Sequence, residues 1–163
     1  RDMFLFSFYT RGMSFIDMAY LKKSDLKNGI ITYRRRKTGQ QLTVKWEKCM
    51  EDIITKYGEN TTTRYLLPII TNPCSDERTQ YRNAICRINV ALKEVAGLAG
   101  LNIPLTMHVA RHCWASVAKS KNIPLSVISE GMGHDSEETT RIYLASLDTS
   151  VVDKANSLIL KDF

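Results

Sequence analysis

His108-Val109-Ala110-Arg111 is followed in this chain by Gly133-His134 and then by Tyr143. Two histidines, an arginine and a tyrosine fall within 36 positions, with Arg111 and His134 23 apart and His134 and Tyr143 nine apart. Each residue type suits one task in attacking a phosphodiester. Arginine forks onto phosphate oxygens and keeps its charge. Histidine moves protons near neutral pH or donates to a phosphoryl oxygen. Tyrosine can serve as the nucleophile of a covalent intermediate.

Wider blocks surround these residues. Leu105-Thr106-Met107-His108-Val109-Ala110-Arg111-His112 resembles the box around the second arginine of the tyrosine recombinases, the phage-integrase family. Gly131-Met132-Gly133-His134-Asp135-Ser136 resembles that family's Leu-Gly-His-x-Ser segment, and Thr139-Thr140-Arg141-Ile142-Tyr143 its Thr-Thr-x-x-Tyr segment. Alone, a His-x-x-Arg is a weak signal. Three boxes in order at family spacing are a strong one. The resemblance runs from Phe4 to about Ile159.

Composition sets the frame. With 163 residues, 44% hydrophobic and 25% charged, the chain can bury one proper core and reads as a globular domain over 1–163. The net charge of +6 favours a polyanionic partner without naming it. Cys49, Cys74, Cys86 and Cys113 are scattered, with no Cys-x-x-Cys, so a zinc site is not expected and reduced thiols in a cytosol are. No apolar run reaches membrane-spanning length, so no membrane partner is expected. Arg1-Asp2 leads into Met3-Phe4-Leu5-Phe6, as if a helix were already in progress. The chain therefore reads as a piece of a longer protein that lacks N-terminal DNA-binding domains.

Hydrophobic periodicity predicts a mainly α fold with a small antiparallel sheet. Helices are expected over 3–12 and 14–21, the second capped by Ser14 with Asp17 as a partial capping box. Ser24 to Gly29 reads as a turn. Ile30–Arg35 and Gln41–Trp46 read as strands joined by a hairpin turn at Lys37-Thr38-Gly39. Tyr65–Ile69 is expected as an edge strand, since Pro68 is tolerated there. Further helices are expected over 47–57, 76–99, from Thr106 as cap, from Pro124 to near Gly131 and Gly133, from Ser136, and over 148–160. The resemblance implies the same architecture, an α+β catalytic domain.

The candidate site follows. Arg111 is the clearest oxyanion donor, and His108, three positions earlier, shares its helical face. His112 makes a His-x-x-x-His with His108, but Val109 stands where a zinc protease has glutamate, so support of the site is favoured over metal binding. His134 lies in a turn before a capped helix. Tyr143 is one of seven tyrosines and is singled out by spacing alone. Lys37 follows Arg34-Arg35-Arg36. The resemblance implies that a hairpin lysine protonates the leaving 5′ oxygen. Arg34, Arg36, Lys37 and Arg111 are the expected DNA contacts. The plain alternatives are a solvated charge run for the basic cluster and ordinary core or surface roles for the histidines and tyrosine.

One departure stands out. The family's first arginine precedes an acidic residue by three positions. Asp17 fits the acidic position, which puts Ser14 where the arginine belongs. Serine supplies no fork of positive charge. Arg11 and Arg35 are the candidates to replace it, with Arg35 favoured because it is two residues before Lys37 on the same strand face.

The resemblance thus implies a site-specific recombinase or integrase of a mobile element. Tyr143 would form a 3′-phosphotyrosyl bond on double-stranded DNA and free a 5′ hydroxyl, with no nucleotide cofactor and no metal. It also implies a homotetramer on DNA, working in a bacterial cytoplasm. The alternatives are an invertase, a resolvase or a type IB topoisomerase of the same chemistry, or a DNA-binding module with impaired catalysis, for which Ser14 is the hint.

Overall fold

The computed structural model describes residues 1–57 and 63–145. The helix expected over 148–160 lies outside them. Seven α-helices and a three-stranded antiparallel sheet are present among the described residues.

Helix α1 (Asp2–Tyr9) opens the chain. It stops because Arg11 and Gly12 both take positive φ, 61° and 74°, and the Gly12 amide turns back onto the Ser7 carbonyl at 2.8 Å. This is the usual left-handed helix ending. The fully buried Ser7 hydroxyl donates to the Met13 carbonyl at 2.7 Å, fixing the chain for helix α2 (Phe15–Ala19). Ser14 caps α2 as expected, accepting from the Asp17 amide at 3.3 Å. The box is not reciprocal, however. The Asp17 carboxylate faces outward from α2, accepting the Ser14 hydroxyl at 2.6 Å and the Arg36 amide at 2.9 Å.

The sheet follows. The 24–29 stretch is more structured than a turn. It holds a short 3-10 helix (Lys23–Asp25) and strand β1 (Leu26–Lys27), leaving Asn28 and Gly29 as the bend, both at positive φ. Strand β2 (Ile30–Arg34) pairs with β1 and with β3 (Gln41–Lys45), in a register from Ile30 opposite Lys45 to Arg34 opposite Gln41. Ile31, Tyr33, Leu42 and Val44 face the core, while Thr32, Arg34, Thr43 and Lys45 face outward. This alternation is what a half-buried sheet requires.

Tyr65–Ile69 does not form the expected edge strand. Tyr65 makes one bridge to Lys22, and the Leu66 amide donates to the Leu21 carbonyl at 2.7 Å. Pairing goes no further because Pro68 offers no N–H and Leu66, Leu67, Ile69 and Ile70 are all buried. A stretch buried on every side threads the core rather than edging a sheet.

Helices α3 (Lys48–Tyr57), α4 (Glu77–Leu98) and α5 (Met107–Ser120) complete the main layer. Asp76 caps α4 through the Thr79 amide at 2.7 Å. Thr106 does not cap α5 with its side chain. Asn89 of α4 does that work instead, its amide oxygen accepting the Met107 N–H at 2.9 Å. The main core gathers Phe6, Met18, Leu21, Ile31, Leu67, Ile70 and Leu92. A smaller core of Ala115, Ile128, Met132 and Leu144 seats α6 (Leu125–Met132) and α7 (Glu137–Ala145) on α5. Helix α6 ends at Gly133, in the left-handed region at φ 63°.

Candidate active site

Four separate elements deliver charged or titratable groups to one pocket of about 270 Å³. It is lined by Arg35, Lys37 and Thr38 from the hairpin, His108 and Arg111 from α5, His134 and Asp135 from the α6–α7 turn, and Thr139 and Tyr143 from α7. The structure thus brings together all six expected catalytic residues. Arg34 and Arg36 line a different pocket, with Asp17 and Tyr20. Arg34 donates to the Gly39 carbonyl at 2.9 Å, and the Arg36 guanidinium lies 3.6 Å from the Tyr20 ring centre.

The two buried arginines share one structural cause. The last carbonyls of a helix have no partner within it, and the helix dipole is negative there. Arg111 donates to the Met132 carbonyl at 2.6 Å, and Arg35 donates to the Gly133 carbonyl, both at the C-terminus of α6. Arg111 also donates to the Gly12 carbonyl at 2.8 Å. Two of its five N–H donors are therefore spent on positioning, leaving three for a ligand. Burial lowers the Arg111 pKa to about 10, and the nearby positive Arg35 adds to the fall. The guanidinium stays charged at neutral pH.

Gly12 makes this packing possible. A Cβ there would sit 2.8 Å from the Arg111 Cα and 2.8 Å from its Cγ, and φ is 74°. No other residue type meets both demands.

Arg35 reaches the site by a route that strand geometry did not foresee. β2 ends at Arg34, and residues 36–38 form a turn, so Arg35 and Lys37 do not share a strand face. Arg35 is buried and Lys37 exposed, yet both line the pocket because the six-residue loop folds over it. The Arg35 amide donates to the Gln40 carbonyl and the Gly39 amide to the Arg35 carbonyl, each at 2.8 Å. Arg11 is not among the pocket residues.

The aromatic rings around Tyr143 contact one another, one pair stacked and the others edge-on. The His112 ring lies parallel to the Tyr143 ring, 2° apart in plane and 4.2 Å between centres. His108 stands edge-on to His112 at 4.6 Å, and His134 lies 5.7 Å from Tyr143. Burial, followed by the positive charges of Arg111, Arg35 and Lys37, depresses the His134 pKa to about 4. His108 and His112 are lowered for similar reasons, burial foremost. The pocket's histidines are neutral near pH 7. Tyr143 is pushed up to about 12 by burial, against the pull of Arg111 and Arg35.

Sequence reasoning missed Thr38, Asp135, Thr139 and Thr140. Thr140 is fully buried, and its hydroxyl lies 2.7 Å from His134 Nδ1. The Thr139-Thr140 pair was visible in the sequence, but nothing in it tied a threonine to a histidine six residues away. Among the described residues no group of three His, Cys, Asp or Glu side chains is placed to hold a metal ion. Nor is any helix among them long and apolar enough to cross a membrane.

Tyr143 thus shares one pocket with two arginines, a lysine and two neutral histidines, on a mainly α scaffold. Residues 3–150 match the phage integrase family, and the chain belongs to that family. The fold is that of solved tyrosine recombinases. XerA recombinase is 21% identical, with a TM-score of 0.68 over 96% of this chain and 56% of that one. XerH site-specific recombinase, in a post-cleavage complex with a palindromic difH substrate, is 20% identical, with a TM-score of 0.66 over 96% and 45%. A lambda integrase dimer on a COC' core site is 18% identical, with a TM-score of 0.59 over 88% and 50%. The chain spans about half the length of these structures. Among curated proteins, none matches.

Proposed function

We propose that this chain is the catalytic domain of a site-specific recombinase or integrase that cuts and rejoins DNA through a 3′-phosphotyrosyl intermediate. One observation carries the reading. Tyr143 lies in a pocket with Arg35, Lys37, Arg111, His108 and His134, every group that attack on a phosphodiester needs. Membership of the phage integrase family supports it.

In this reading Arg111 and Arg35 fork onto the non-bridging oxygens, where charge builds in the transition state. Arg35 fills the place left by Ser14. Tyr143 Oη bonds to phosphorus as the bond to the 5′ oxygen breaks. The phenol proton leaves towards neutral His108, and Lys37 gives a proton to the 5′ oxygen. Because the Tyr143 pKa is about 12, proton removal must accompany attack rather than precede it. The reverse attack by a 5′ hydroxyl rejoins DNA. Bond energy is kept in the phosphotyrosine, so no nucleotide cofactor or metal is called for.

The partner is double-stranded DNA, in line with the DNA-bound structures of the same fold. The full-length enzyme acts as a homotetramer on DNA in a bacterial cytoplasm. The test is a nicked suicide substrate carrying the native attachment site. The chain is expected to become covalently attached to it, and Tyr143→Phe to bind the DNA but not to attach. Attachment by the Phe variant would assign the nucleophile elsewhere. Attachment without exchange between two marked sites would point to a topoisomerase-like use of the same chemistry.

A further inference from the structure

The geometry points to Thr140 as a positioning residue that holds His134 in the tautomer with its proton on Nε2, tying that donor to the helix that carries the nucleophile. The Thr140 hydroxyl is fully buried, and its only partner among the described residues is His134 Nδ1, at 2.7 Å. A buried hydroxyl proton needs an acceptor, and among the described residues His134 Nδ1 is the one bonded to it. If Nδ1 carried the ring proton, two donors would face each other, or the threonine proton would be left unspent in the core. The hydroxyl therefore donates and Nδ1 accepts. The ring is neutral at pH 7, so its single proton sits on Nε2, the nitrogen left for the pocket.

A donor there suits a phosphoryl oxygen; a bare lone pair would repel it. Thr140 and Tyr143 are three positions apart on α7 and so share a helical face. Seating α7 delivers the phenol and sets the His134 proton together. Withdrawing α7 removes both. The backbone holds the other end, since the His134 amide donates to the Ser129 carbonyl of α6 at 3.0 Å.

The tautomer assignment stands on the hydrogen bond and the neutral ring; its consequence for cleavage rests on the recombinase reading. The test is ¹⁵N NMR of the imidazoles in the full chain, whose three histidines are separable by a His134→Gln control. The parent is expected to show an unprotonated, hydrogen-bonded Nδ1 and a protonated Nε2. Thr140→Val should move the Nδ1 resonance towards that of an unbonded acceptor. It should also slow adduct formation by about tenfold or more, the order of loss when an orienting partner is taken from a functional histidine. Thr140→Ser should restore both. A proton on Nδ1 in the parent, or an unchanged Nδ1 resonance in Thr140→Val, would overturn the assignment. Should the valine variant not fold, the parent and serine spectra decide. A parent showing the Nε2–H tautomer but forming no Tyr143-dependent adduct would defeat the recombinase reading and leave the role of Thr140 intact.

Discussion

Arg35 and Arg11 compete for one role, and their surroundings separate them. Arg35 lies buried against the Gly133 carbonyl beside Arg111, while Arg11 sits in a left-handed turn and is not among the pocket residues. Arg35→Ala is expected to lower the cleavage rate on the order of a hundredfold, as loss of an oxyanion donor does, and Arg11→Ala far less. Equal small effects would remove Arg35 from the mechanism. Single-turnover cleavage of the suicide substrate measures both. His134 gives the residue scale a second test. Its folded pKa, about 4, lies below the ordinary 6.5, so the unfolded chain takes up the proton first as pH falls. Its contribution to stability is therefore constant above about pH 6.5 and is lost between there and pH 4. Denaturant titrations should show a shallower loss across that window for His134→Gln than for the parent. At this scale the sequence was partly legible. Ser14 marked the departure from the family's arginine box and Lys37 marked the hairpin, but the depth of Arg35 was not readable. It depends on where β2 stops and on which carbonyls α6 leaves unpaired.

A carboxylate on α2 helps hold the hairpin loop, beside the Arg35 bond to the Gly133 carbonyl. Buried Asp17 on α2 accepts the Arg36 amide at 2.9 Å, and that bond ties the loop holding Arg35 and Lys37 to the helical body. Asp17→Ala is expected to destabilise the domain by about 1 kcal/mol, because it removes the acceptor of the part-buried Arg36 amide and Ser14 hydroxyl. It should also slow cleavage without abolishing it. Retained full cleavage at normal stability would show that the tie is unimportant. Gly12→Ala is the harsher change at the element scale. Its Cβ would have to sit 2.8 Å from the Arg111 backbone, at a φ that alanine resists. Loss of both melting temperature and adduct formation is expected. Helices with local signals were readable as sequence, as with Asp76 before α4 and the glycine that stops α6. Elements settled by distant partners were not. Asn89 took the capping work expected of Thr106, and burial on all sides took Tyr65–Ile69 out of the sheet.

Across the whole molecule the charge pattern separates chemistry from binding. Buried Arg35 and Arg111 line the Tyr143 pocket, while other cations lie exposed on the hairpin and sheet. Arg34 and Lys45 lie on the outward face of β2 and β3, and Arg36 lies just beyond β2, stacked on Tyr20. These exposed groups can neutralise phosphates along a duplex and release their counterions, which makes affinity fall as salt rises. DNA affinity measured against salt should therefore give a steep negative slope for the parent. Arg34→Ala should reduce that slope by roughly one and weaken binding alike on all sequences, since a phosphate contact carries no base information. Once the DNA is saturated, its cleavage rate should match the parent, because the Arg34 guanidinium lines a pocket separate from that of Tyr143. Arg35→Ala should do the reverse, cutting the rate while leaving most of the slope. Equal loss of slope and rate in both variants would mean that binding and chemistry draw on the same cations, and the division between exposed and buried arginines would not hold.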